Sequence, residues 1–107
     1  MKLWIDDVRT PPSGYVWIKT VDEAKRYIQS YSSRVDFDNN IVDEIELIDI
    51  DHDAGNYQFF GGDYIKLLDW LEETGKNYPI RIHSMNSVGV QNMRAIIKKN
   101  GWKEIIS

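Results

Sequence analysis

Ile48-Asp49-Ile50-Asp51-His52-Asp53-Ala54-Gly55 decides how the rest of the chain is read. An apolar, β-branched run passes straight into Asp51-His52-Asp53, which holds one of the chain's two histidines. A strand of that kind belongs in the middle of a sheet. Carboxylates crowded at its exit are costly unless they hold a metal, a phosphate or a proton in transit. Two other strands end in the same polar manner: Leu3-Trp4-Ile5 in Asp6-Asp7, and Ile80-Arg81-Ile82 in His83-Ser84.

Outward from that stretch, strands and helices alternate. Lys2–Ile5 reads as the first strand, and Thr10-Pro11-Pro12-Ser13-Gly14 as a turn with no backbone for a helix. Tyr15–Lys19 is the second strand. Thr20-Val21-Asp22-Glu23 is a capping box opening a helix with Val21, Ala24, Ile28 and Tyr31 on one stripe. Arg34–Glu44 reads as a polar loop with a turn at Asp38-Asn39-Asn40. Glu46–Ile50 is the third strand and Ala54–Gly62 a loop carrying Tyr57, Phe59 and Phe60. Asp63 is placed to cap a helix with Tyr64, Leu67, Leu68 and Leu71 on one face, stopped by Gly75. Ile80–Ile82 is the fourth strand. A third helix turns Val90, Met93, Ile96 and Ile97 inward, ends at Asn100-Gly101, and leads to a last strand, Trp102–Ile106.

This pattern argues an α/β fold with a mainly parallel sheet and right-handed crossovers. Strands three and four read as the continuous apolar runs of buried parallel strands. An order of 2-1-3-4-5 sets strands one, three and four side by side. A parallel crossover normally takes a dozen residues or more. The shorter Asp6–Gly14 connection therefore leaves two readings: an extended crossover, or an antiparallel second strand at the edge.

The 107 residues suit one domain, with 42% apolar and 12% aromatic residues to fill a core. A net charge of −4 without a basic run argues against duplex DNA as partner. The absence of cysteine rules out disulfides and thiolate metal sites. With no apolar run of membrane-spanning length and no signal-peptide pattern, the expected location is the cytoplasm, away from any membrane.

In an open parallel sheet, ligands bind beyond the carboxyl ends of the strands. Asp6, Asp7 and Asp51 gathered there form an oxygen set suited to a hard divalent cation, Mg²⁺ or Mn²⁺; as isolated residues they could equally cap turns. His52 and His83 are the candidate catalytic acid and base, in either order, with Asp51 beside them. Each alone reads better as a satisfied loop or sheet-end histidine; it is their coincidence at one sheet edge, with no histidine elsewhere, that points to function. Ser84 and Asn86, before the third helix, are candidates to bind phosphate oxygens, or to cap that helix. Arg9 is a candidate phosphate clamp or a surface cation. Tyr57, Phe59 and Phe60 could stack on a base or roof the edge of the core.

At these residues the chain resembles the receiver superfamily of two-component signalling. Asp6 and Asp7 match its acidic pair, Asp51 its phosphoacceptor and Ser84 its hydroxyl residue. The Pro-Pro loop replaces the first helix, aromatics fill the loop after Asp51, and the lysine that receivers place after strand five has no counterpart before Ser107. A closer resemblance is to the cyclic-phosphate processing receiver domain family. It rests on Leu3-Trp4-Ile5-Asp6-Asp7-Val8-Arg9, the Pro-rich turn, Asp51-His52-Asp53-Ala54-Gly55, Gly61-Gly62-Asp63-Tyr64 and Ile80-Arg81-Ile82-His83-Ser84-Met85-Asn86. That resemblance implies a three-layer receiver-like (flavodoxin-like) fold, its five-stranded sheet lacking the helix between strands one and two. It also implies a role with cyclic phosphates of small nucleotides or RNA ends. The expected activity is a metal-assisted phosphoesterase. The alternative is a non-catalytic module that binds a metal, a nucleotide or a partner protein, and a weaker one is phospho-acceptance at Asp51.

Overall fold

The computed structural model describes residues 1–106; Ser107 lies outside them. In chain order the elements are β1 (Lys2–Ile5), β2 (Tyr15–Ile18), α1 (Val21–Tyr31), β3 (Arg34–Val35), β4 (Ile41–Val42), β5 (Leu47–Ile50), α2 (Ile65–Thr74), β6 (Ile80–Ile82) and α3 (Ser87–Asn100). The main sheet has the order β2-β1-β5-β6, and every pair in it is parallel. The last expected strand shrinks to a single parallel bridge, Ile80 to Glu104. It sits on the β6 side, so the order 2-1-3-4-5 holds with its fifth member reduced to one rung.

The second strand is parallel, which settles the two readings of the first connection. A four-residue strand rises only about 13 Å, and an extended chain covers about 3.4 Å per residue. Asp6–Gly14 is therefore long enough to return without a helix. Three hydrogen bonds lay the start of this crossover on the sheet. Trp4 Nε1 donates to the Arg9 carbonyl at 2.8 Å, Trp17 Nε1 to the Asp6 carbonyl at 2.8 Å, and an Arg9 guanidinium nitrogen to the His83 carbonyl at 2.9 Å.

The two faces of the sheet differ. Leu3, Ile5, Ile18, Ile48, Ile50 and Ile80 point to one face and form the core with Val21, Ala24 and Ile28 of α1, Leu67, Leu68 and Leu71 of α2, and Met93 and Ile97 of α3. Each fully buried Leu or Ile there contributes roughly 1.5–3 kcal/mol. The opposite face carries Trp4, Asp49 and Arg81 side by side in register. Tyr15 and Trp17 lie on the same face of β2. Among the described residues it bears no helix; the crossover and the aromatic side chains of β1 and β2 lie on it instead. Strands three and four of the sequence are thus not continuous apolar runs. Ile48-Asp49-Ile50 and Ile80-Arg81-Ile82 alternate because only one of their faces meets a helix layer.

Thr20 caps α1 as the sequence indicates, its hydroxyl accepting from the Glu23 amide at 3.0 Å. Gly75 and Gly101 end α2 and α3 in left-handed conformation, with φ of 73° and 67°. Two local expectations are corrected. Arg34–Glu44 is not a plain loop: it folds as the small antiparallel hairpin β3-β4, with Asn39 left-handed in its turn (φ 61°). Asp63 does not cap α2. Tyr64 stands at that position, and the Asp63 carboxylate accepts the Ala54 amide at 3.0 Å, closing the loop that follows β5.

Candidate functional site

Asp6 and Asp51 each continue the sheet ladder one step beyond their strands. The Asp6 amide donates to the Ile18 carbonyl at 3.2 Å, and the Asp51 amide to the Ile5 carbonyl at 2.9 Å. Their side chains are therefore held at the C-terminal edge of the sheet, where Asp6 is wholly buried and Asp51 nearly so. Asp6, Asp7 and Asp51 can each bring one carboxylate oxygen within 4.8 Å of the others.

The three carboxyls are not equivalent. Burial pushes the Asp7 carboxyl above its ordinary range, and the charges of Asp6 and Asp51 push it further. Burial acts on Asp6 in the same direction but is outweighed. The amides of Arg9 and Val8 donate to its Oδ1 at 2.9 Å each, and His83 adds a third partner. Asp6 is thus held below the ordinary range. The fit to a hard divalent cation follows from this donor chemistry: oxygen ligands only, and like charges crowded so that one of them resists ionisation. A cation there would offset the like-charge part of what raises Asp7, burial being the larger part.

His83 reaches across β5 to join two carboxylates. Its Nδ1 lies 2.6 Å from Asp49 Oδ1, and its Nε2 2.9 Å from Asp6 Oδ2. Each ring nitrogen thus has a carboxylate oxygen within hydrogen-bond distance. Trp4 stacks flat on the imidazole, with centroids 3.8 Å apart and planes 7° from parallel. Arg81 donates to the other Asp49 oxygen at 3.0 Å, and burial together with the nearby Asp49 carboxylate pushes the Tyr15 hydroxyl above its ordinary range. The His83 side chain is accordingly only 7% exposed, with both ring nitrogens engaged.

His52 belongs to a second group. Its backbone is clamped on both sides: the amide donates to Asp51 Oδ1 at 2.8 Å, and the carbonyl accepts the Tyr64 amide at 2.9 Å. Its Nδ1 lies 2.8 Å from Asp53 Oδ1 and 3.4 Å from Asn86 Nδ2. The carboxylate contact is the shorter one and needs a proton on Nδ1. The Asn86 amide therefore serves Asp53, 3.3 Å away, rather than the ring. No hydrogen bond engages Nε2 among the described residues. Asn86 also caps α3, its Oδ1 accepting the Gly89 amide at 2.9 Å, while the Ser84 hydroxyl accepts the Asn86 amide at 3.1 Å.

The structure therefore joins Asp6, Asp7, Asp51 and His83 directly, with Arg9 attached through the His83 carbonyl. It places His52, Ser84 and Asn86 in the neighbouring group, linked to the first by the Asp51–His52 contact. Phe59 and Phe60 are exposed and do not roof the core. Sequence reasoning missed Asp49, Arg81 and Trp4. The signal was available in the period-two alternation of three strands, each with one non-aliphatic residue at its centre.

The family model of the cyclic-phosphate processing receiver domain matches residues 1–99. The chain belongs to that family. No curated protein and no solved structure matches it. In this cyclic-phosphate processing receiver domain, the matched span holds both groups of the site and leaves out the Glu104 rung. Family membership connects the chain with cyclic-phosphate processing on a receiver-like fold. No helix among the described residues is long and apolar enough to cross a membrane.

Proposed function

We propose that this domain is a metal-assisted phosphoesterase that opens the cyclic phosphate of a small nucleotide or an RNA end. The observation that carries the reading is the convergence of Asp6, Asp7 and Asp51 oxygens within 4.8 Å at the ligand-binding edge of a parallel sheet. Those three residues would hold Mg²⁺ or Mn²⁺, which supplies charge neutralisation for the phosphate. Water attacks phosphorus, one ring P–O bond breaks, and the departing oxygen takes a proton to give a phosphomonoester. His52 is the acid–base group, with Asp53 fixing its Nδ1 proton and Nε2 left for a proton in transit. His83 works through Asp6, because direct contact with substrate would require its ring to leave a carboxylate. Arg9 spends one of its five N–H donors on the His83 carbonyl, and its others serve the phosphate together with Ser84 and Asn86. The exposed Phe59 and Phe60 give a base somewhere to stack.

The test is incubation of the pure protein with 2′,3′- and 3′,5′-cyclic nucleotides and a cyclic-phosphate RNA end, with and without EDTA. Turnover that EDTA stops is the expected result; no turnover of any of them overturns the reading. The second reading, a non-catalytic binding module, is favoured by one observation: both nitrogens of His83 are already taken. Saturable binding without turnover would select it.

A further inference from the structure

The geometry points to Gly89 as the residue that seats the His52 ring, a positioning role met by the absence of a side chain. Gly89 is the third residue of α3 and is buried. A Cβ built on it would lie 2.4 Å from His52 Cγ, 2.5 Å from Cδ2 and 2.9 Å from Nδ1. Non-bonded carbon atoms rest near 3.5–4.0 Å. No side chain at position 89 is compatible with the imidazole where it stands.

The ring has no easy way to yield. The Asp51 carboxylate and the Tyr64 amide hold the His52 backbone on either side, and Asp53 holds Nδ1. Asp53 is in turn held by the Asn86 amide, and Asn86 is anchored to α3 through the Gly89 amide. The first turn of α3 thus fixes the ring in two ways, with Asn86 steadying Asp53 and Gly89 leaving room. Gly89 is not a left-handed position, and an alanine there would favour the helix by roughly fivefold in its folding equilibrium. The helix forgoes that gain at the one place where the ring lies against its backbone.

Gly89→Ala, alone and combined with His52→Ala, tests the assignment. Three quantities are read: folding equilibrium by urea titration, long-range ¹H–¹⁵N correlations of the His52 imidazole, and kcat and KM on whichever cyclic phosphate the protein hydrolyses. In the parent protein, Gly89→Ala should shift the His52 ring correlations and lower kcat at least tenfold, with KM changed less than threefold. In the His52→Ala background the same substitution should increase the folding constant, roughly fivefold. If Gly89→Ala alone fails to fold, recovery of folding in the double variant is the supporting result. Unmoved His52 ring correlations, or a stability change of equal sign and size in both backgrounds, overturn the assignment. The kinetic arm rests on the phosphoesterase reading. Should the parent turn over no cyclic phosphate, that reading fails alone, and the stability cycle and the ring correlations still decide the role of Gly89.

Discussion

His83 Nδ1 and Asp49 Oδ1 lie 2.6 Å apart on the sheet face that carries no helix. This contact is the centre of the polar cluster there. Asp49 is fully buried, and its two carboxylate oxygens are engaged by His83 and Arg81. Removing one member of such a cluster leaves the others buried and uncompensated, which costs about 3–5 kcal/mol. Asp49→Ala is therefore expected to lower unfolding stability in urea by about 3 kcal/mol or more. Stability within about 0.5 kcal/mol of the parent, the ordinary range for a neutral surface change, would show that the cluster does not hold the sheet.

The second prediction concerns pH and metal. Asp7 has its folded pKa raised above the ordinary value of 3.8 by burial and by its carboxylate neighbours. A raised acid binds its proton more tightly in the folded state. Its favourable contribution is full below 3.8 and is lost as pH rises through the folded value. Asp6 has the opposite sign: its contribution is present above 3.8 and is lost as pH falls through its lowered folded value. Without divalent cation at neutral pH, Asp7→Asn should therefore melt at a higher temperature than the parent. That advantage should close as pH falls below 3.8, where Asp7 is protonated in both states. Added Mg²⁺ or Mn²⁺ should raise the parent's melting temperature and leave the variant's almost unchanged. Thermal melts across pH, with and without the cation, check both signs; a variant that melts lower than the parent in metal-free neutral buffer contradicts the argument.

These two clusters mark how far the sequence could be read. The acidic edge was legible because the Asp6-Asp7 pair and Asp51 each follow directly on an apolar strand, and a parallel sheet brings such exits together. The parallel order of strands one, three and four was legible from the alternation of strands and helices; the direction of strand two, which no helix precedes, was not. The second face was not, because Asp49 and Arg81 sit between isoleucines and the strands look apolar when counted rather than taken by parity. The partner of His83 was also hidden. A histidine at the end of one strand reaches over its neighbour to Asp6 of the strand beyond, and only the register shows that the reach is possible. The hairpin β3-β4 escaped notice since two-residue strands carry almost no periodic signal. The role of Gly89 depends on a close approach between α3 and the loop after β5, which no spacing in the chain encodes.

The last prediction separates two jobs of Asn86. As N-cap of α3 its side-chain oxygen satisfies the Gly89 amide, and as a neighbour of Asp53 its amide nitrogen donates. Serine can do the first, but its hydroxyl, one bond closer to the backbone than the Asn86 amide nitrogen, falls short of Asp53. Asn86→Ala should lose both, at a cost of about 1 kcal/mol from the cap alone. Asn86→Ser should recover most of that stability, because a hydroxyl accepts from the same helix amide. If Asn86 also holds the Asp53–His52 pair in place for turnover, then Asn86→Ser should remain impaired in kcat although its fold is restored. Urea unfolding and steady-state kinetics on the same three proteins separate the outcomes. Full activity in Asn86→Ser would reduce Asn86 to a helix cap, and would leave His52 steadied by Asp53 and the space at Gly89 alone.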